Sequence, residues 1–135
     1  VLDDFAHHPT AVRETLAGIR ARYRDRRIWA VFEPRSNTSR RNIHQAEYAA
    51  AFHDADVVVI KVPEPHDKVP ADQRLDVDAV VGQIAAGGIE AHAVAEVPAI
   101  VEIVARGARP GDVVLVMSNG AFGGLIPRLL EALKR

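Results

Sequence analysis

Ile28-Trp29-Ala30-Val31-Phe32 is a continuous apolar run that ends at Glu33-Pro34. An uninterrupted run of this length is typical of a strand buried on both faces, as strands of a parallel sheet are. The runs Val57-Val58-Val59-Ile60 and Val113-Val114-Leu115-Val116-Met117 repeat the pattern. We therefore expect the centre of the fold to be a parallel sheet with helices on both faces.

Helices are predicted between these runs. Apolar residues from Val12 to Tyr23 recur at helical spacing, and Pro9 suits a first helical turn, so the spacing predicts a helix over 9–23. Similar patterns predict the remaining elements: helices over 43–52, from Val77 to the terminating pair Gly87-Gly88, from 98 onward and over 125–133, a weaker strand over 89–94 and a long loop over 61–75.

The strict alternation of strands and helices indicates the fold class. Such alternation forces parallel pairing with right-handed crossovers. The sequence therefore predicts an α/β fold, a three-layer, doubly wound, mainly parallel and Rossmann-like sheet, in a single domain over 1–135.

The composition excludes several function classes. The chain has 135 residues, and its 17 Lys and Arg against 18 Asp and Glu leave a net charge of -1, which lacks the basic footprint of a general nucleic-acid binder. No apolar run approaches the roughly 20 residues of a membrane span. The absence of cysteine excludes disulfides, thiolate zinc sites and cysteine nucleophiles. We predict a cytoplasmic protein with neither nucleic-acid nor membrane partners, and the abrupt start at Val1-Leu2 predicts a piece of a longer chain.

The unusual polar residues follow the predicted strands. Ligands of doubly wound sheets bind outside the carboxyl ends of the strands. Polar segments fall at these ends: Asp3-Asp4-Phe5-Ala6-His7-His8-Pro9-Thr10, Glu33-Pro34-Arg35-Ser36-Asn37-Thr38, Lys61-Val62-Pro63-Glu64-Pro65-His66 and Ser118-Asn119-Gly120-Ala121-Phe122-Gly123-Gly124. We expect all of this polar chemistry to lie on one edge of the sheet.

Asp3 and Asp4 are adjacent, and adjacent strand residues point to opposite faces. One is expected to be functional and the other structural, for example as the cap of the helix that starts near Pro9. With His7-His8 they could serve a metal, acid–base chemistry or a nucleotide ribose, while two histidines here fit a solvated helix start about equally well. No His-x-x-x-His or Glu-x-x-His spacing is present, so no metal site is predicted.

Arg35-Ser36-Asn37-Thr38 sets a guanidinium beside three small hydrogen-bonding side chains, which suits a phosphate or carboxylate. The alternative is a turn followed by a helix cap, but the position after a buried strand favours the anion site. The glycines after Ser118 fit an anion-binding helix start or a structural turn equally. A solvated helix end is predicted for five arginines: Arg20, Arg22, Arg24, Arg26 and Arg27.

Taken together, the segments beginning at Asp3, Glu33 and Met117 resemble the C-terminal domain of the Mur ligases, over essentially the whole chain. The resemblance implies a three-domain enzyme, with a UDP-sugar-binding N-terminal domain, a central ATPase and a Rossmann-like C-terminal domain that closes over the active site. Only the third would lie in 1–135, and by itself it is expected to be inactive.

The resemblance also implies a reaction, ATP-dependent amide formation with ATP and Mg²⁺ bound mainly by the central domain. The carboxylate of UDP-N-acetylmuramate would form an acyl phosphate that a peptide amine attacks, in bacterial cell-wall biogenesis. The second and third segments favour ligation of the murein tripeptide L-alanyl-γ-D-glutamyl-meso-diaminopimelate, a step of murein recycling. The enzyme's own N-terminal and central domains would be its protein partners.

Residue roles follow from the resemblance alone. Asp4 would hydrogen-bond the ATP ribose, and His7 would border the nucleotide. Arg35 would reach the phosphate or acyl-phosphate region, so that His7 and Arg35 are the catalytic candidates. The other implied contacts are Asn37 for the cofactor and, for the substrate, Thr38, Ser118, Asn119 and Gly120. Ala121 departs from the Gly that is usual at its position.

Two alternatives remain. One is the related UDP-N-acetylmuramate–L-alanine ligase. The other is a receiver-type phosphoacceptor module, which needs an Asp after the third strand and a Lys after the fifth. Lys61 and Met117-Ser118 stand at those places, so the receiver interpretation fails on the residues that its chemistry requires.

Overall fold

The computed structural model describes residues 1–4, 6, 8–34, 45–62, 75–118 and 122–134. The strands are β1 (Leu2–Asp4), β2 (Ile28–Phe32), β3 (Val57–Lys61), β4 (Glu90–Val94) and β5 (Val113–Met117). The helices are α1 (Pro9–Arg22), α2 (Gln45–Ala51), α3 (Val77–Ala86), α4 (Val97–Gly107) and α5 (Leu125–Leu133), the last preceded by a short 3-10 turn, Phe122–Gly124.

The described strands form one sheet in the order β1-β5-β2-β3-β4, and every neighbouring pair is parallel. In this register Met117 of β5 lies beside Asp4 of β1 on one side and beside Phe32 of β2 on the other. The predicted α/β class with a doubly wound parallel sheet is confirmed.

The sheet is covered on both faces, which gives three layers. Alternate residues of β2 divide between the two sides: Phe32 packs with apolar residues of α1, α2 and α3, and Val31 packs with those of α4 and α5. All five residues of β2 and of β5 are buried. These strands are apolar throughout because each face of the sheet is covered by helices.

The ends of the helices test the predicted caps. Gly88 has φ +93 just after α3, a left-handed backbone that favours glycine, as the pair Gly87-Gly88 predicts. At α1 the prediction that an aspartate caps the helix is wrong. The N-cap is His8, whose Nδ1 accepts from the backbone N–H of Thr10 at 3.3 Å.

Three of the five arginines predicted to be solvated donate hydrogen bonds to distant parts of the chain instead. Arg20 donates to the carbonyl of Asp54 at 2.8 Å and to Oδ2 of Asp56 at 2.7 Å. Arg27 donates to Oδ2 of Asp112 at 2.9 Å and to the carbonyl of Gly107. The prediction fails here because these partners lie 34 to 85 positions away along the chain, beyond any local pattern. Arg26, although exposed, likewise donates to the carbonyl of Gly111 at 3.2 Å. Arg22 and Arg24 are exposed, as predicted.

Gly107 packs against the buried ring of Trp29 at the end of α4. A Cβ there would lie 2.6 Å from Cη2 and 2.9 Å from Cζ2 of that ring, and the ring is held by the bond from its Nε1 to Asp112. Gly107→Ala should therefore lower the free energy of unfolding by about 1–3 kcal/mol in a urea titration, since the ring cannot yield without strain. Gly82→Ala is the matched control. Its Cβ would meet nothing within 4 Å, so that change should be neutral or stabilise by up to about 1 kcal/mol. Equal midpoints for the two variants would contradict the prediction.

Candidate functional site

The strand order creates a switch point at the carboxyl edge of the sheet. β1 and β2 are followed by α1 and α2 on one face, whereas β5, which lies between those strands, is followed by α5 on the other. Chain segments therefore diverge to opposite faces on both sides of β5. In open α/β sheets such a divergence makes the crevice in which ligands bind.

Three residues form a hydrogen-bonded row across this crevice. The backbone N–H of Ser118 donates to the carbonyl of Asp4 at 3.1 Å. The Ser118 hydroxyl donates to Oε1 of Glu33 at 2.7 Å. The N–H of Glu33 donates to the carbonyl of Met117 at 3.0 Å. Hydrogen bonds thus join the carboxyl ends of β1, β5 and β2.

Asp3 and Asp4 face opposite sides of the sheet, as predicted. Asp4 pairs with Met117, whose side chain packs on the α1 side, and Asp3 pairs with Val116, which packs on the α5 side. Asp4 is half-buried and its Oδ1 accepts from the N–H of Ala6 at 2.8 Å, while Asp3 is exposed. Among the described residues Oδ2 of Asp4 has no hydrogen-bond partner, so this oxygen can accept from a ligand hydroxyl.

Glu33 is a residue that the sequence reasoning quoted but gave no role. Its half-buried carboxylate lies beside Ser118, which is only 4% exposed and is the one buried polar residue in the described part of the chain. The sequence pointed to Glu33 only as the first residue after a buried strand, two positions before Arg35. That place gave no reason to expect a partner 85 positions away.

The glycine-rich segment after β5 contains a left-handed turn. Phe122, Gly123 and Gly124 have φ of 52, 58 and 73. A Cβ on Gly123 would lie 3.0 Å from Cγ2 of Val97 in the first turn of α4, and Phe122 is buried. Two successive glycines permit this left-handed backbone and let the chain approach α4 closely before α5 begins.

Most of the chain matches a known protein family. Residues 1–120 match the model of the Mur ligase, glutamate ligase domain. The chain belongs to this Mur ligase domain family. This finding agrees with the motifs at the exits of β1, β2 and β5 and with the fold.

The Mur ligase domain is similar along its whole length to curated bacterial proteins. It is 39% identical over 137 residues to the UDP-N-acetylmuramate–L-alanyl-gamma-D-glutamyl-meso-2,6-diaminoheptandioate ligase of Escherichia coli K12, covering 100% of this chain and 28% of that protein. It is 34% identical to the UDP-N-acetylmuramate–L-alanine ligase of Streptomyces avermitilis, covering 100% and 29%. The chain therefore spans little more than a quarter of the length of these relatives.

A solved structure gives the same result. The crystal structure of a murein peptide ligase from Psychrobacter arcticus matches with a TM-score of 0.76 and 34% identity, over 96% of this chain and 26% of that one. The predicted resemblance to the Mur ligase C-terminal domain, with the murein tripeptide ligases as near relatives, is confirmed.

Most of the predicted site residues belong to the segments that follow β1, β2 and β5 in sequence, but they lie outside the described residues: His7, Arg35, Asn37, Thr38, Asn119 and Gly120. Asp4 and Ser118 are described, and the structure places both at the switch point. The described part of the chain contains no group of three His, Cys, Asp or Glu side chains arranged to hold a metal ion. It also contains no helix long and apolar enough to cross a membrane.

Proposed function

We propose that this chain is the C-terminal domain of a three-domain, ATP-dependent ligase that joins L-alanyl-γ-D-glutamyl-meso-diaminopimelate to UDP-N-acetylmuramate. The observation that carries the proposal is the row of Asp4, Ser118 and Glu33 at the switch point. It joins the exits of the three strands whose following segments bear the family's motifs. The tripeptide ligases of Escherichia coli and Haemophilus influenzae are 39% and 38% identical to the chain, against 34% to 37% for alanine ligases of three other bacteria, which favours the tripeptide as substrate.

The proposed chemistry is formation and aminolysis of an acyl phosphate. The γ-phosphoryl group of ATP passes to the carboxylate of UDP-N-acetylmuramate and ADP leaves. The peptide amine then attacks the acyl carbon, which forms the amide and releases phosphate. Mg²⁺, bound mainly by the central domain, would neutralise phosphate charge. With these substrates, the protein is proposed to act in the bacterial cytoplasm.

This domain would supply nucleotide contacts on one side of the crevice. Asp4 is proposed to accept a hydrogen bond from the ATP ribose, which fits the open Oδ2 of its half-buried carboxylate. His7 would border the nucleotide. Arg35, assisted by Asn37, would hold the transferring phosphoryl group as a bidentate cation.

On the other side the domain would position the peptide. Thr38, Asn119 and Gly120, with Ser118 at the base of its segment, are proposed to hold the tripeptide so that its amine faces the acyl phosphate. Closure of the domain would exclude water, which protects an acyl phosphate from hydrolysis.

The test is a comparison of amines with the full-length three-domain protein. With ATP and UDP-N-acetylmuramate, phosphate release should have a kcat/KM about 100-fold higher for the tripeptide than for free L-alanine, because a site built for polar groups discriminates strongly against a ligand that lacks them. A preference for L-alanine would instead identify the alternative, the UDP-N-acetylmuramate–L-alanine ligase. The 135-residue chain alone should be inactive, and turnover by it would contradict the division of labour between the domains.

A further inference from the structure

Glu33 and Ser118 stand directly at the exits of two central strands, and each precedes a segment with a proposed ligand role. Glu33 is followed two residues later by Arg35, and Ser118 is followed at once by Asn119. The proposed phosphoryl contacts, Arg35 and Asn37, thus follow β2, and the peptide contacts Asn119 and Gly120 follow β5. Thr38, the remaining proposed peptide contact, also follows β2.

A short hydrogen bond joins these two exits. The hydroxyl of Ser118 lies 2.7 Å from Oε1 of Glu33, and the serine is 4% exposed. A hydroxyl that donates to a carboxylate makes a charge-assisted bond, roughly twice as strong as a neutral one, and burial protects it from competing water.

Ser118 is held on its other side as well. Its backbone N–H donates to the carbonyl of Asp4 at 3.1 Å, so one residue links the proposed ribose contact to Glu33. Because the hydroxyl proton is donated to Glu33, Ser118 cannot donate the same proton to a ligand while this bond holds.

We propose that Glu33 is a positioning residue for the ligation, and that it acts through its hydrogen bond to Ser118. This inference rests on the proposed function and adds a role for Glu33. The bond fixes the spacing between the ends of β2 and β5, and therefore between the segment that carries the proposed phosphoryl contact and the segment that carries Asn119 and Gly120. Attack of an amine on an acyl phosphate requires that spacing, since reacting groups misplaced by about 1 Å lose roughly a hundredfold in rate.

A double-mutant cycle in the full-length protein tests the proposal. Ser118→Ala and Glu33→Ala should each lower kcat with the tripeptide by about 10- to 100-fold, while KM for each of the three substrates changes less than about threefold. The double variant should be no slower than the slower single variant, because both changes remove the same bond. Glu33→Gln keeps an acceptor oxygen and should restore kcat to within about tenfold of wild type.

Glu14→Ala removes an exposed carboxylate from α1 and is the matched control, with kcat expected to be unchanged. Thermal unfolding of each variant separates a positioning effect from a loss of fold, and the melting temperatures should stay close to that of wild type. Additive losses in the double variant would overturn the proposal, since they mean that Glu33 and Ser118 act independently. A loss confined to KM for the tripeptide would also overturn it, since that result indicates substrate binding instead of positioning.

The same experiment separates this inference from the proposed function. If the wild-type protein uses L-alanine instead of the tripeptide, the proposed substrate is wrong, and the double-mutant cycle is measured with L-alanine. A wild-type protein inactive with both amines would remove the proposed function and this inference together.

Discussion

Arg35→Ala in the full-length ligase should lower kcat by about 10²–10³-fold, the usual loss when one preorganised donor to a developing charge is removed. Arg35 is proposed to hold the transferring phosphoryl group through two parallel N–H bonds, in a crevice that excludes water. With alanine at position 35, only the remaining hydrogen-bond donors stabilise the charge of the phosphoryl group. Steady-state phosphate release with the tripeptide at saturation is the measurement.

Two variants sharpen the result. Arg35→Lys keeps the charge but loses the bidentate geometry, so it should recover only part of the rate. Arg24→Ala removes an exposed guanidinium near the end of α1 and should leave kcat unchanged. Near-normal kinetics for Arg35→Ala would remove this residue from the proposed site.

Asp112→Ala should lower the free energy of unfolding of the 135-residue chain by about 2–4 kcal/mol, because it breaks several hydrogen bonds to one partly buried carboxylate and leaves their donors without an acceptor. Oδ2 of Asp112 accepts from Nε of Arg27 at 3.0 Å, from Nε1 of Trp29 at 3.0 Å and from the N–H of Arg109 at 3.0 Å. The Trp29 side chain is buried, so water cannot replace its lost acceptor.

The effect should depend on pH. Burial alone would raise the pKa of Asp112, but the hydrogen bonds from Arg109, Trp29 and Arg27, with the charge of Arg27, outweigh it and hold the pKa below its usual value. A carboxyl whose folded pKa is lowered stabilises the fold above its unfolded value, near 3.9, and loses this contribution as the pH falls through the folded pKa. The difference in stability between wild type and Asp112→Ala should therefore be largest near neutral pH and shrink in acid.

Urea titrations at several pH values measure both effects. Asp25→Ala is the control, since this exposed aspartate lies in the turn after α1 and should change stability by less than about 0.5 kcal/mol. A stability difference between wild type and Asp112→Ala that stays constant from pH 7 down to pH 3 would contradict a lowered pKa of Asp112 in the folded protein.

Much of the fold could be predicted from local pattern. The runs beginning at Ile28, Val57 and Val113 are apolar throughout, and that composition suits strands covered on both faces. The opposite orientations of Asp3 and Asp4 follow from strand geometry alone. The aspartate cap of α1 could not be judged in this way, because an aspartate, a histidine or a backbone group can each satisfy the first helical N–H groups.

The long-range polar contacts could not be predicted. Arg20 and Arg27 resemble a solvated helix end in sequence, but folding brings each to carboxylates and carbonyls far along the chain. Glu33 is similar: its role depends on Ser118, 85 positions away. The arrangement of the strands determines such partners, and a short stretch of sequence does not contain that arrangement.

The sequence by itself determined the alternation of strands and helices and the placing of polar motifs after the strands, because both depend on residues that are neighbours in the chain. Only the tertiary structure decided that β5 lies between β1 and β2. Because crossovers are right-handed, α1, α2 and α3 on one face carry the chain across the sheet in one direction, and α4 on the other face returns it toward β1. This strand order sets Ser118 between Asp4 and Glu33 and so brings three distant segments to one crevice.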